Sequence, residues 1–200
     1  MKYPITKRIF DIIGALCGVI FIIPFLPFII LAIFIEDGFP IIVKLDRISE
    51  GKIIKVYKFR SMIRGAHAMK SELMQKNERN DGPLFKMKND PRLTKVGRFL
   101  RALRVDEFPQ FLNVLRGELA LVGPRPHEPG EIAQYPDEFK HIQYARAGLT
   151  GLSQVSGASS LSFMKELELD SYYIKHSSLW FDITILWKTV WVFFSDPTGV

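Results

Sequence analysis

The sequence predicts an α+β, mostly helical protein in which an N-terminal apolar membrane segment precedes one compact domain. Three observations support this prediction. Residues 12–35 carry no charged side chain, residues 53–59 are rich in the β-branched and aromatic residues typical of a short strand, and several later segments place apolar residues at helical spacing. At 200 residues, the chain is long enough for roughly one domain.

The composition is both apolar and basic. Hydrophobic residues make up 48% of the chain and the net charge is +6, while the single cysteine, Cys17, excludes an internal disulfide framework. Residues 44–104 contain 17 basic and 6 acidic residues, whereas the rest of the chain is net acidic. Such a stretch beside a membrane segment would be attracted to anionic headgroups, and nucleic acid is the alternative partner.

The apolar run leaves two topologies open. As a helix, its 24 uncharged residues would extend about 36 Å, enough to cross a bilayer. Pro24 and Pro27 lie in its middle and disfavour a straight helix. The run is therefore either a proline-kinked spanning helix or a helix–break–helix hairpin that returns to the same face. The flanking charges select neither orientation.

Further elements follow from local patterns. A strand is predicted at residues 53–59, and the Gly-, Pro- and Ser-rich stretches 123–130 and 147–160 are predicted as loops. Amphipathic or polar periodicity predicts helices at 65–79, 94–104, 107–115, 161–175 and 179–194. In the last of these, Trp180, Trp187 and Trp191 lie within about 20° of one line, which suits either a core helix or a helix in the membrane interface.

Common catalytic motifs are missing from the sequence. The four histidines lack metal-binding spacing, and there is no P-loop, GxGxxG sequence or nucleophile elbow. The strongest candidate is the pair Asp106 and Glu107, which Pro109 places at or just before a helix N-terminus. An aspartate ionised there could attack phosphorus, and its glutamate neighbour could ligate Mg²⁺.

Candidate phosphate-binding cations lie in three other segments. Arg125 stands between two prolines in the sequence Gly123–Pro126, and a guanidinium in a stiff loop is a good phosphate clamp. Arg146 precedes the glycines of a second loop, while Lys58 and Arg60 alternate along the predicted strand. We expect one cationic pocket to collect these four side chains around the acidic pair.

Taken together, these segments resemble the small monotopic phosphoglycosyl transferases, a family of bacterial sugar transferases. After the proline-containing apolar run, the resembling stretches are YKFRSM, NDPRLTKVGRFLR, VDEFPQFLNVLRG, VGPRP, GLTGLSQVSG and LDSYY. They occur in the family's order and cover nearly the whole chain. The length resembles the minimal catalytic form of the family, without the N-terminal membrane bundle of its longer members.

The resemblance implies transfer of a sugar 1-phosphate from a UDP-sugar to undecaprenyl phosphate, with release of UMP. By analogy Asp106 is the nucleophile that forms a covalent phospho-sugar intermediate, and Glu107 holds Mg²⁺. Lys58, Arg125 and Arg146 would bind phosphates, and Asp170 matches an acidic family position. The reaction would be the first membrane step of glycoconjugate or exopolysaccharide assembly.

The resemblance also bears on topology. Residues 1–36 would form a re-entrant hairpin and residues 37–200 a catalytic domain with interfacial amphipathic helices, on the cytoplasmic face of the bacterial inner membrane. The partners would be the UDP-sugar, the polyprenol phosphate and inner-leaflet lipid, without nucleic acid; a homodimer is left open. The alternative function is a non-catalytic, membrane-anchored basic module that binds anionic lipid or nucleic acid.

Three positions depart from the family pattern. Ile23 stands where a serine often precedes the first hairpin proline, Ser49 replaces a glycine, and Ala147 replaces the proline of an Arg-Pro-Gly sequence. These departures question the geometry of the hairpin and of two loops, but none removes a proposed catalytic group.

Overall fold

A computed structural model describes residues 3–157 and 160–195. Its N-terminal segment consists of α1 (Ile5–Ile22), a 3-10 turn (Ile23–Phe25) and α2 (Leu26–Asp37). Within the described residues, this is the one helical segment long and apolar enough to cross a membrane, at 33 residues. The prolines convert one turn to 3-10 geometry while the surrounding backbone stays right-handed helical. A re-entrant path therefore stays a prediction.

The strand predicted at residues 53–59 is confirmed as one arm of a β-hairpin. β1 (Ile42–Ser49) pairs antiparallel with β2 (Lys52–Phe59), and Glu50 and Gly51 connect them with φ values of 52° and 72°. Positive φ at both central residues is characteristic of a type I′ turn. β1 was not predicted because the adjacent charges Asp46 and Arg47 interrupt the alternation of apolar and polar residues that indicates a half-buried strand.

The middle of the chain is less helical than predicted. The helix expected at 65–79 is reduced to α3 (Met69–Leu73) and a 3-10 turn (Met74–Lys76). The helix expected at 94–104 is confirmed as α4 (Lys95–Ala102), where the Thr94 hydroxyl accepts the Gly97 N–H at 2.8 Å. That bond is an N-cap, which fixes where the helix begins.

The second half of the chain alternates short helices with two minimal strands. The helix predicted at 107–115 is a 3-10 helix (Val105–Gln110) followed by α5 (Phe111–Arg116). Both predicted loops contain regular structure: α6 (Pro129–Ile132) begins at the end of the first, and β4 (Gly148–Thr150) and α7 (Leu152–Val155) lie in the second. β4 pairs in parallel with β3 (Ala120–Val122), and both strands are too short for periodicity to reveal. A 3-10 helix (Asp137–Tyr144), α8 (Phe163–His176) and α9 (Leu179–Ser195) complete the described elements.

Two apolar clusters hold the elements together. The larger one joins α1, the hairpin, α5, β3, α8 and α9, and its most deeply buried members include Val56, Val114, Leu119, Val122, Leu167 and Ile185. The smaller one, which consists of Ile33, Phe59 and Leu100, joins α2 to the end of β2 and to α4. The apolar segment is therefore part of both clusters.

Glycines and aromatic rings allow α1 to lie directly against the domain. A Cβ on Gly14 would stand 2.4 Å from a methyl of Leu121, and one on Gly18 would stand 2.4 Å from the ring of Phe111. One turn later, the ring of Phe21 stacks on Phe108 in the 3-10 helix that carries the acidic pair. The first half of the apolar segment thus packs beside the candidate site.

Polar contacts tie both ends of the apolar segment to the same domain. At its start, the Arg8 guanidinium donates to the carbonyls of Val114 and Leu115 at 2.6 and 2.7 Å. At its end, the Glu36 carboxylate accepts the backbone N–H groups of Lys95 and Val96 at 2.7 and 2.8 Å, at the N-terminus of α4. The segment therefore starts and ends on one body of protein.

The tryptophan helix, α9, combines the two alternatives predicted for it. Asp182 and Ile185 are buried in the domain, whereas Trp180, Trp187 and Trp191 are 78%, 74% and 69% exposed. One face of α9 is core, and the opposite face is an uncovered row of tryptophans, as suits a helix at a bilayer interface.

The close contact between α4 and the end of β2 gives a test of the fold. A Cβ on Gly97 would lie 1.9 Å from the Ser61 carbonyl oxygen, which is backbone and cannot rotate away. We expect Gly97→Ala to lower the melting temperature in detergent by more than about 2 °C, since backbone clashes of this kind cost over 1 kcal/mol. Gly130→Ala is the matched control because its Cβ would meet nothing within 4 Å. Equal melting temperatures for the two variants would contradict this packing.

Candidate active site

The acidic pair lies in a first helical turn, as predicted. The chain leaves α4 through Arg104, which has a left-handed φ of 51°, and Asp106 and Glu107 then occupy the first turn of the 3-10 helix Val105–Gln110. The Asp106 side chain is only 6% exposed, whereas that of Glu107 is 36% exposed. The two neighbouring carboxylates therefore have different environments, one enclosed and one open to solution.

Lys58 faces both carboxylates from β2. Its Nζ lies 2.5 Å from Oε1 of Glu107 and 4.0 Å from Oδ2 of Asp106. β2 packs across the 3-10 helix, and Lys58 lies opposite Val43 in the hairpin, so its backbone is held in register. A single close cation thus faces two negative charges.

Burial and neighbouring charges give the two carboxyl groups different pKa values. Burial raises the pKa of Asp106 to about 6, with Lys58 opposing the rise and the negative charge of Glu107 adding to it. Burial also acts to raise the pKa of Glu107, but the charge and hydrogen bond of Lys58, together with Arg125 and Arg104, bring that pKa below its ordinary value. At neutral pH Glu107 is ionised, and Asp106 is ionised but readily protonated.

Two arginines near the site were left out of the predicted pocket. The charge of Arg101 lowers the pKa of Asp106, and that of Arg104 lowers the pKa of Glu107. The Nε of Arg101 is oriented by a 2.9 Å hydrogen bond to the Ser61 hydroxyl. The signal was present in the sequence, because both arginines immediately precede the acidic pair at the end of a basic amphipathic helix.

Arg125 lies in the loop that follows β3. Its side chain is exposed, and its charge acts on Glu107, which places it in the same electrostatic field as the acidic pair. Its backbone N–H donates to Oδ2 of Asp170 at 3.1 Å, and the Ser153 hydroxyl donates to Oδ1 of the same carboxylate at 2.7 Å. Asp170 is buried, and burial raises its pKa to about 7. In this structure Asp170 holds the arginine loop by its backbone.

Three glycines explain how the loop around Arg125 keeps its shape. A Cβ on Gly148 would lie 2.1 Å from the Gly123 nitrogen, and a Cβ on Gly151 would lie 2.2 Å from the Gly123 carbonyl oxygen. The start of the Arg125 loop therefore packs backbone against backbone on β4 and the turn after it. The segment Arg146–Gly151 supports this loop through its glycines.

Arg60 and Arg146 are paired with acids outside the acidic pair. Arg60 is buried beyond the end of β2, where it pairs with Asp37 at 3.0 Å. Arg146 pairs with Glu50 at 3.0 Å, in the hairpin turn. That turn lies about 20 Å along the hairpin from Lys58. The structure brings Lys58 and Arg125 to Glu107 and holds the other two cations elsewhere, so their phosphate-binding role stays a prediction.

Two of the three positions that depart from the family pattern, Ser49 and Ala147, are in contact with each other. The hydroxyl of Ser49 accepts the N–H of Ala147 at 3.1 Å and donates to the Glu118 carbonyl at 2.8 Å. Alanine in place of proline adds a buried N–H, and serine in place of glycine supplies its acceptor, so each departure compensates for the other. The third departure, Ile23, lies in the 3-10 turn between α1 and α2.

The donor set suits a cation that also binds substrate phosphates. Throughout residues 3–157 and 160–195, no group of three or more acidic, histidine or cysteine side chains could enclose a metal by itself. Mg²⁺ is commonly bound by one or two carboxylates plus substrate phosphates. Glu107 is ionised and partly open to solution, so it fits this role.

Comparisons with known proteins identify the family of this chain. The sequence model of the bacterial sugar transferases matches residues 2–196. The chain is 40% identical over 192 residues to the undecaprenyl-phosphate galactose phosphotransferase of Salmonella typhimurium, covering 92% of this chain and 39% of that protein. It is 38% identical over 196 residues to the UDP-glucose:undecaprenyl-phosphate glucose-1-phosphate transferase of Escherichia coli, covering 93% and 39%.

A shorter relative is matched over most of its length. The exopolysaccharide production protein ExoY of Sinorhizobium fredii is 34% identical over 190 residues, covering 93% of this chain and 84% of that protein. The chain thus spans about two fifths of the two longer relatives and most of this shorter one. From the match over residues 2–196 and from these relatives, the chain belongs to the bacterial sugar transferase family.

Proposed function

We propose that this protein transfers a sugar 1-phosphate from a UDP-sugar to undecaprenyl phosphate, giving undecaprenyl-diphospho-sugar and UMP. The observation that carries the proposal is the enclosed Asp106 carboxylate, with Lys58 4.0 Å away and Glu107 next to it in the chain. The names of the Salmonella and Escherichia relatives support an undecaprenyl-phosphate acceptor, and the latter name supports a UDP-sugar donor.

In the first step, an Asp106 oxygen attacks the phosphorus attached to the sugar. The bond from that phosphorus to the bridging oxygen of the diphosphate breaks, and UMP leaves with the electron pair. The enclosure of Asp106 excludes water, which protects a phospho-aspartate from hydrolysis. Because burial raises the Asp106 pKa to about 6, its carboxylate is a stronger base than an exposed aspartate and still ionised at pH 7.

In the second step, a phosphate oxygen of undecaprenyl phosphate attacks the same phosphorus. The bond to Asp106 breaks, and its carboxylate is regenerated. Arg125 would neutralise charge that develops on the phosphates, and its loop is held rigid by Asp170 and the glycine packing. In the first step, Mg²⁺ held by Glu107 would supply Lewis-acid stabilisation of the donor diphosphate.

A re-entrant membrane segment fits this chemistry. Arg8 and Glu36, near opposite ends of the apolar segment, both bond to the domain that carries Asp106. A helix that crossed the bilayer would put these ends on opposite sides, about 30 Å apart in hydrocarbon. We therefore propose that the segment enters and leaves on the cytoplasmic face of the inner membrane, with the tryptophan face of α9 at the interface.

The reaction itself is tested by UMP release. We expect the detergent-solubilised protein to release UMP from at least one UDP-sugar in a panel, with undecaprenyl phosphate and Mg²⁺, and to lose this activity in EDTA. Asp106→Asn should reduce the rate at least about 10³-fold, because it removes the attacking oxygen. Asp46→Asn, at an exposed carboxylate on β1, should leave the rate within about twofold. Full activity of a mass-verified Asp106→Asn protein would overturn the nucleophile assignment.

The pH dependence tests the role of Lys58. Since Asp106 must lose its proton to attack, kcat/KM should fall as the pH drops through about 6. Lys58 lowers the Asp106 pKa, so Lys58→Met should move this acidic limb to higher pH as well as reduce the rate. Lys55→Met, which removes an exposed lysine from the same strand, should leave the limb in place. An unmoved limb in Lys58→Met would show that Lys58 does not set this acidity.

Cysteine labelling tests the topology. In a Cys17→Ser background, single cysteines replace the exposed residues Ile5 and Phe39, near the two ends of the apolar segment. A membrane-impermeant maleimide should label both in inverted inner-membrane vesicles and neither in spheroplasts. If one cysteine were labelled only in inverted vesicles and the other only in spheroplasts, the segment would be a spanning helix instead.

A further inference from the structure

The side chain of Lys7, in α1, points into the domain. Its Nζ donates to Oδ2 of Asp182 at 2.7 Å and to the carbonyl oxygen of Val122 at 3.0 Å, and its side chain is only 12% exposed. Asp182 lies in α9 and is fully buried. Through Lys7, the N-terminal segment therefore contacts both α9 and the last residue of β3.

Tyr173 reaches the same carbonyl from α8. Its hydroxyl lies 3.0 Å from the Val122 oxygen and 2.6 Å from Oδ1 of Asp182. One residue earlier in β3, the N–H of Leu121 donates to the buried carboxylate of Asp11 in α1 at 3.0 Å. Side chains of α1 and α8 thus bind the Leu121 N–H and the Val122 carbonyl, and Asp182 of α9 binds the two side chains that hold this carbonyl.

Val122, whose carbonyl Lys7 and Tyr173 bind, stands immediately before the Arg125 loop in the sequence. Gly123 follows Val122, and its N–H is bonded to the Thr150 carbonyl at 2.9 Å. Pro124 and Pro126 have fixed φ angles on either side of Arg125, so the loop has little freedom to absorb a displacement of Val122. Gly123 and the Arg125 N–H are also bonded to Thr150 and Asp170, so a displacement of the Val122 carbonyl would strain these bonds together with the loop.

We propose that Lys7, Tyr173 and Asp182 are positioning residues that hold Arg125 toward Glu107 by fixing the carbonyl of Val122. Docking of the N-terminal apolar segment is thereby coupled to the geometry of the site, since Lys7 is part of that segment. The catalytic consequence rests on the proposed function, in which Arg125 binds phosphate; the positional coupling does not.

The composition of the cluster supports a positioning role. Burial of a lysine and an aspartate costs several kcal/mol of desolvation, and well-packed apolar residues often stabilise a fold as much or more. An ion pair with defined hydrogen bonds does fix the direction of a carbonyl, which apolar packing does not. Lys7 and Asp182 are therefore suited to fix the geometry of the Val122 carbonyl.

Hydrogen exchange tests the positional coupling without any substrate. Tyr173→Phe removes one hydroxyl outside the apolar segment and changes no charge, and Lys7→Met removes the cation. We expect amides in residues 121–127 to exchange at least about tenfold faster in both variants, by local opening. Tyr172→Phe, at an exposed neighbouring tyrosine, and Lys165→Met, at a surface lysine, are matched controls and should exchange like the parent protein.

Kinetics test whether the coupling acts through Arg125. Tyr173→Phe should lower kcat/KM about tenfold, but in an Arg125→Met background the same change should cost less than about twofold. Lys7→Arg should restore part of the activity lost in Lys7→Met. Unchanged exchange in Tyr173→Phe, or equal kinetic losses in both backgrounds, would overturn the proposal. If the parent protein released no UMP, the proposed function would fail, and hydrogen exchange alone would decide the coupling.

Discussion

The proposed chemistry depends on one lysine that faces two carboxylates. Lys58 lies 2.5 Å from Glu107 and 4.0 Å from the enclosed Asp106, so a single close positive charge is shared between two negative ones. Lys58 is closer to Glu107 and lowers the pKa of that carboxyl group, while burial raises the pKa of Asp106 to about 6. Two adjacent residues of similar chemistry are thereby suited to the different tasks proposed for them, a nucleophile and a cation ligand.

The rest of the fold holds the groups around this pair in place. β2 supplies Lys58 in fixed register. Arg101 in the last turn of α4 and Arg104 just after it act on the pair, and the glycine packing of β3 on β4 presents Arg125. The apolar segment packs along the same domain, with Phe21 stacked on Phe108 beside the acidic pair. A soluble nucleotide sugar and a lipid substrate could therefore meet at one site close to the membrane surface.

The sequence was most informative where a local rule decides the structure. The acidic pair, β2, α4, α8 and α9 were predicted because turn residues and apolar periodicity act over a few positions. β3 and β4 were missed because three-residue strands have no period, and their pairing joins positions 28 residues apart. The partners of Arg60 and Arg146 were missed for a related reason: Asp37 and Glu50 lie 23 and 96 residues away, and charge alone does not indicate which acid a cation finds.

The most direct test of the account is the identity of the covalent intermediate. The protein, mixed with a UDP-sugar that supports UMP release and with no lipid acceptor, would be quenched in acid and measured by intact mass and peptide mapping. The account predicts a mass increase of one sugar phosphate, located on the peptide that contains Asp106 and lost on addition of undecaprenyl phosphate. UMP formed only when the lipid acceptor is present, with no adduct at any time, would instead indicate direct transfer and contradict the nucleophilic role of Asp106.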